Sequence, residues 1–252
     1  MNAQLTRAAN HNAFIALTTL LALVPLSSEG STTRLDFEGL SRGEYVTTQF
    51  AVSDGVTITG FGGSNFGARI FDTNIPSGNW ISSNPLYDPA DPGFGDPDLG
   101  SPNQDFGGPG VGSEGGAGQP GENAVPLNNI LIVDENGPDF PPDDQQVGGT
   151  IIASFSSPQD LVGVGLLSVD DVRIDVFFQD PQAFFSLSSQ GAGENGYFEI
   201  PLNLRDVTEL WFVFGGGGGV AYIEYGEIPE PASATLLGLA AAAIVARRRR
   251  RR

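Results

Sequence analysis

The sequence predicts an all-β protein, a β-sandwich of jelly-roll type carrying a long Gly/Pro/Asp-rich loop insertion. Three observations carry this. The 35 Gly and 18 Pro among 252 residues punctuate the chain too often for long helices. Short segments alternate apolar and polar residues at period two, as in Val56–Thr59 and Val172–Val176, the pattern of a strand with one buried face. No window between the two ends shows a helical apolar stripe, so short helices are expected only in an N-terminal signal and a C-terminal tail.

Taken in order, residues 1–30 read as a cleavable export signal. Arg7 supplies a weakly positive start, Ala13 to Leu26 is a short apolar run, Pro25 breaks it, and Ser27, Ser28 and Gly30 follow as small residues. The expected ectodomain is 31–226. Its candidate strands are Thr33–Phe37, Gly55–Gly60, Ala68–Phe71, Asn129–Val133, Gly149–Phe155, Leu161–Leu167, Val172–Phe178, Ala183–Leu187, Gly196–Ile200, Glu209–Phe214 and Val220–Tyr225. Residues 72–128 break the rhythm and are expected to be mostly loop, and a loop of that length is usually functional or disordered. A second Gly tract, Gly215–Gly219, reads as a flexible hairpin loop. It is no phosphate loop, because no Lys follows and no helix begins there.

The C-terminal segment, 227–252, has three parts. Pro229, Glu230 and Pro231 come first. An apolar run from Ala232 to Ala246 follows, and then Arg247 to Arg252, of which Arg247, Arg248 and Arg249 lead the cluster. A helix over that run would span roughly 22 Å, short of the ~30 Å hydrocarbon core. The arginines would stay cytoplasmic by the positive-inside rule. This order resembles the PEP-CTERM sorting signal. The resemblance implies an exported chain of a Gram-negative bacterium that is tethered through a short transmembrane helix and processed by a membrane exosortase. Release or attachment at the cell surface would follow, often alongside exopolysaccharide. Signal peptidase and the inner membrane would be transient partners.

Composition removes several chemistries. There is no Cys, which excludes disulfides, thiolate metal sites and Cys nucleophiles. The single His is His11, inside the expected signal, so an exported domain would have no Ser-His-Asp triad. Setting aside Glu29, Glu230, Arg7 and the six terminal arginines leaves 28 acidic and five basic residues in 31–228, a net charge of about −23. Nucleic acid would be repelled by such a surface.

The acids cluster in loops beside Gly, Pro and Asn. One group is Asp72, Asp88, Asp91, Asp96, Asp98 and Asp105, a second is Asp134, Glu135, Asp139, Asp143 and Asp144, and Asp170 and Asp171 sit at a turn. Hard cations such as Ca²⁺ take six to eight oxygens, and irregular loops supply carboxylates and carbonyls together. Asp72, Asp96, Asp98, Asp143 and Asp170 are therefore the candidate Ca²⁺ ligands, and Ca²⁺ the one cofactor considered. The spacing of an EF-hand is missing. Solvated acidic loops without an ion are the competing reading. In the long loop Trp80, Tyr87 and Phe94 offer apolar faces on which a sugar ring could stack, with Trp80 and Tyr87 as the candidates. Trp211, inside an apolar run, is expected in the core. The pairs Glu38 with Glu224 and Asp36 with Glu199 lie near strand ends, where a structural role outweighs a glycosidase role.

The stretches Phe71–Thr73, Gly95–Pro102, Asn129–Val133 and Pro142–Asp144, followed by Leu166, Leu167 and Asp170, also resemble a recurrent ectodomain of PEP-CTERM-bearing proteins. That resemblance implies a fold and no activity. The expected function is therefore a non-catalytic surface or matrix protein, stabilised by Ca²⁺ and associated with polysaccharide. A carbohydrate-binding module is the alternative, and a glycoside-active enzyme the more remote one.

Overall fold

A computed structural model describes residues 31–63, 66–76 and 96–227. The export signal, the C-terminal segment, Trp80, Tyr87, Asp88, Asp91 and Phe94 lie outside the described residues. Residues 31–228 form a compact unit of their own.

Among the described residues, nine antiparallel strands build it: β1 Thr32–Leu35, β2 Val56–Gly62, β3 Ala68–Asp72, β4 Asn129–Val133, β5 Gly149–Leu167, β6 Asp171–Phe178, β7 Phe184–Gln190, β8 Tyr197–Phe214 and β9 Gly219–Gly226. The described helical turns are two short 3₁₀ turns, at Pro97–Leu99 and Gln104–Phe106.

All strands join one hydrogen-bonded sheet, and two long strands fold it into a sandwich. β5 has 19 residues and β8 has 18, and they pair along nearly their whole length. The first part of β5 pairs with β2 on its free side, from Val56 opposite Phe155 to Gly62 opposite Gly149. Its last part pairs instead with β9, with Val164 opposite Ile223. Between them the β5–β8 register slips three times, between Ser154 and Gly163. Such bulges bend a strand and increase its twist. On β8 the bend is taken up by Asn203 and Asp206, both at positive φ, a conformation that short polar side chains tolerate. The first layer is β2, early β5, late β8, β6 and β7. The second is β3, β4, β9, late β5 and early β8, with β1 beside β9.

Side-chain patterning follows from which faces are covered. The two inner faces share one core, which holds Ile58, Ile70, Leu131, Val164, Ile174, Phe212 and Ile223. The outer face of the second layer is also covered. There Phe71, Ile130, Ile132, Leu167 and Tyr222 pack with Leu99 from the loop. β4 is therefore buried on both faces, which is why its sequence, Asn129 to Val133, is continuously apolar after the first residue. β2, with one face to water, alternates.

The Gly-rich segment after Leu99 is packed rather than loose. Asn195, fully buried, donates through Nδ2 to the carbonyls of Asp98 (2.7 Å) and Gly100 (2.6 Å). Its Oδ1 accepts from Asn103 Nδ2 at 2.7 Å. Ser101 Oγ donates to Asn123 Oδ1 at 2.6 Å. A Cβ on Gly110 would collide with the Gly100 carbonyl, so glycine here permits two backbone segments to touch.

Candidate functional site: an acidic pocket

Four loops and the 3₁₀ turn at Pro97–Leu99 converge on a pocket of about 260 Å³. Asp96 and Asp98 flank that turn, and Leu99 anchors it in the second core. Asp144 and Gln146 come from the β4–β5 loop, Ser168 and Asp170 from the β5–β6 turn, Glu194 from the β7–β8 loop, and Gly216 and Gly217 from the β8–β9 loop. No basic residue lines it among the described residues. Asp143 stands beside it: one carboxylate oxygen each from Asp96, Asp143 and Asp144 lie within 4.8 Å of one another.

Each carboxylate is held differently. Asp98 Oδ2 accepts from Ser168 Oγ at 2.6 Å. Asp143 Oδ2 accepts from Asn136 Nδ2 at 2.8 Å. Asp144 Oδ2 accepts from the Gly218 amide. Asp96 is 8% exposed, and its Oδ2 is buried with no hydrogen-bond partner. A Cβ on Gly217 would collide with the Asp144 carboxylate, so the Gly215–Gly219 tract is shaped to admit that group. It is a wall of the pocket and not merely the flexible hairpin loop that composition suggests.

Burial dominates the electrostatics. It raises Asp96 well above the ordinary carboxylate value, and the nearby Asp144 and Asp98 charges add to it. Burial and the Asp144 charge push Asp143 up to about 6. Asp144 is also raised by burial, against the lowering effect of its bonds to Asp96 and Gly218. Leaving such a group charged and unpaired is costly. Oxygens less than 5 Å apart are spaced as Ca²⁺ ligands are, since each Ca–O bond is about 2.3–2.6 Å.

Of the predicted ligands, Asp96, Asp98 and Asp170 line this pocket and Asp143 adjoins it. Asp72 stands apart, with its Oδ1 accepting from the Asn74 amide and Nδ2 in a local turn. Sequence reasoning grouped Asp144 with Asp143 but did not choose it, and it missed Glu194 and Ser168. The Asp-Asp pair at 143–144, next to a strand, was the available signal for Asp144.

Trp211 corrects an expectation. It is on the outer face of the first layer, half-buried, and not in the core. Strand alternation explains this: Leu210 and Phe212 face inward, so Trp211 faces out. Its Nε1 donates to Glu209 Oε2 at 3.0 Å, its ring lies 5.0 Å from that of Phe177, and Phe177 lies 5.3 Å from Phe184. The rim acids are held locally: Glu38 Oε1 accepts from the Asn129 amide at 3.2 Å, and Glu199 from Tyr197 at 2.7 Å.

Residues 227–251 match the PEP-CTERM protein-sorting motif. The chain carries a PEP-CTERM sorting signal. The motif implies export and processing by an exosortase. Pro229, Glu230, Pro231 and Arg247–Arg249 fall within the match, outside the described residues. Among the described residues no helix is long and apolar enough to cross a membrane. A comparison with curated proteins finds no sequence match. Among solved structures, the chain is similar to CBM32-3 from a family 31 glycoside hydrolase of Clostridium perfringens. That likeness has 15% identity and a TM-score of 0.30, and covers 42% of this chain and 81% of the other. The family 32 CBM of C. perfringens NanJ, in complex with galactose, gives 8% identity and a TM-score of 0.29, over 41% and 82% of the two chains. Allantoicase from Saccharomyces cerevisiae gives 10% identity and a TM-score of 0.25, over 37% of each chain.

Proposed function

We propose that this PEP-CTERM chain is a non-catalytic surface or matrix protein whose sandwich binds Ca²⁺ in the acidic pocket. The observation that carries it is Asp96: a buried carboxylate oxygen without a partner, facing two further carboxylates, with no basic residue in the pocket lining. Asp96, Asp98, Asp143 and Asp144 would hold the ion, with Asp170 at the rim. The ion would tie the Gly-rich loop to the β4–β5 and β8–β9 loops. A catalytic role fits less well, because an acid–base pair must reach a substrate and Asp96 and Asp144 are buried against each other. Cleavage by exosortase would leave the domain at the cell surface or outside, where Ca²⁺ is plentiful.

The test is thermal unfolding of the full chain in EDTA, then in millimolar Ca²⁺ or Mg²⁺. A larger upward shift with Ca²⁺ supports the site. Equal shifts, or none, would rule out a specific Ca²⁺ site and leave the acids as a buried cluster that holds no ion.

A second reading rests on the outer-face aromatics. Trp211, Phe177 and Phe184 form a row beside Glu209, Ser186 and the Arg173–Asp175 ion pair. Rings flanked by hydrogen-bonding groups suit a neutral polysaccharide, whose C–H faces stack and whose hydroxyls bond. On this reading sugar would associate with the outer face of the sheet; Trp80 and Tyr87 lie outside the described residues.

A further inference from the structure

The edges of the sheet are not treated alike. The outer edge of β3 is closed by chain from the preceding loop: Val46 N donates to Ala68 O at 2.9 Å, Ile70 N to Glu44 O at 2.9 Å, and Gly43 N to Ile70 O at 2.8 Å. β2 receives Thr47 in the same way, with Ile58 N donating to its carbonyl at 2.8 Å. The edge of early β8 that is unpaired among the described residues carries Glu199, Pro201 and the positive-φ Asn203, all devices that discourage pairing. β1 is only four residues long and carries Arg34.

β7 has none of these. It ends the strand order and pairs with β6 alone among the described residues. Its seven residues, Phe184 to Gln190, contain no charge and no proline, and they span roughly 24 Å. The charge-free stretch runs further, from Pro181 to Gly193, in a domain otherwise dense in acids. Phe184 is 57% exposed at its start. A row of free amides and carbonyls spaced along a strand is complementary to another extended strand.

We propose that β7 is a self-association edge, where two copies of this chain pair antiparallel about a two-fold axis into one continuous sheet. The occupant follows from hydrogen bonding and charge together. The 31–228 part of each copy carries about −23, so most of its faces repel a second copy, and the neutral β7 stretch is where two copies meet with least repulsion. A two-fold pairing uses the same strand twice and closes on itself. Association by this edge should strengthen as salt screens the acidic bodies, the opposite of an ion-pair interface. It needs no cation.

Amide hydrogen exchange of the full chain in EDTA, at low and high protein concentration and with added NaCl, tests this alongside sedimentation. Protection of residues 184–190 that rises with concentration and with salt is the expected result. The Ser188→Glu/Gln190→Glu variant changes two exposed side chains, and should lose that protection while unfolding at a similar temperature. A monomer at every concentration, or a dimer whose β7 amides exchange as in the monomer, would overturn the proposal.

Discussion

Two buried carboxylate centres solve the same problem in opposite ways. Asp134 is fully buried, and so is its partner Arg69, 1% exposed, with Nη1 and Oδ2 3.1 Å apart. Tyr45 donates to Asp134 at 2.5 Å and the Gly137 amide at 2.9 Å, while Arg69 also donates to the carbonyls of Gly43 and Gly137. This centre carries its own cation and is complete. In the Asp96–Asp143–Asp144 centre Asp96 and Asp144 are buried and Asp143 is half-buried, and no Arg lines the adjoining pocket among the described residues, although the ectodomain has five. The difference teaches that burial alone does not mark a binding site. The mark is burial whose charge no described residue of the pocket balances.

The largest effect should come from breaking the complete centre. Arg69→Met leaves Asp134 buried and uncompensated, and should cost about 3–5 kcal/mol in chemical unfolding, with no rescue by Ca²⁺. Next is the incomplete centre. With Ca²⁺ at a hundredfold over its Kd, linkage gives about 2.7 kcal/mol, which raises the melting temperature by roughly 5–10 °C for a domain of this size. Asp144→Asn should abolish that shift and leave the protein in EDTA no less stable than the parent, because it removes one of three crowded acids. A loss of stability in EDTA would show Asp144 to be a structural acceptor only.

A smaller effect is in pH. Asp143 is raised from the ordinary 3.8 to about 6, so its neutral form is favoured by folding. Stability in EDTA should therefore be greatest below pH 4 as far as this group is concerned, and fall as pH rises to 6. Saturating Ca²⁺ should flatten or reverse that slope, as seen in melting temperatures across the window. An unchanged slope would separate the ion from these carboxylates. The smallest effect concerns the aromatic row: Trp211→Ala should reduce retention on a neutral polysaccharide column while the melting temperature moves only modestly. Unchanged retention would remove Trp211 from any sugar role.

Much of the fold was legible in residue patterns. β2 and β6 alternate because one face meets water, and β4 does not because both faces are covered. Two pairs of candidate strands turned out to be single long strands. Gly149–Phe155 and Leu161–Leu167 are both β5, and Gly196–Ile200 and Glu209–Phe214 are both β8. The polar run between them reads as a turn in sequence, yet a bulged corner stays within the ladder. Trp211 was misplaced because an apolar run hides which alternate residue faces out. Asp96 and Asp98 were recognisable from their loop chemistry. Glu194 and Ser168 were not, since they reach the pocket from loops about 100 and 70 residues away in sequence.

By itself the sequence determined strand periodicity, the acidity of the domain and the tripartite sorting signal at 227–251, because each is written in adjacent residues. Only the tertiary structure decided which carboxylates meet. Six of them approach through four separate segments, held by Leu99 in its core and by the glycines that let backbone come close. Such proximity depends on long-range packing, and no local pattern of residues encodes it.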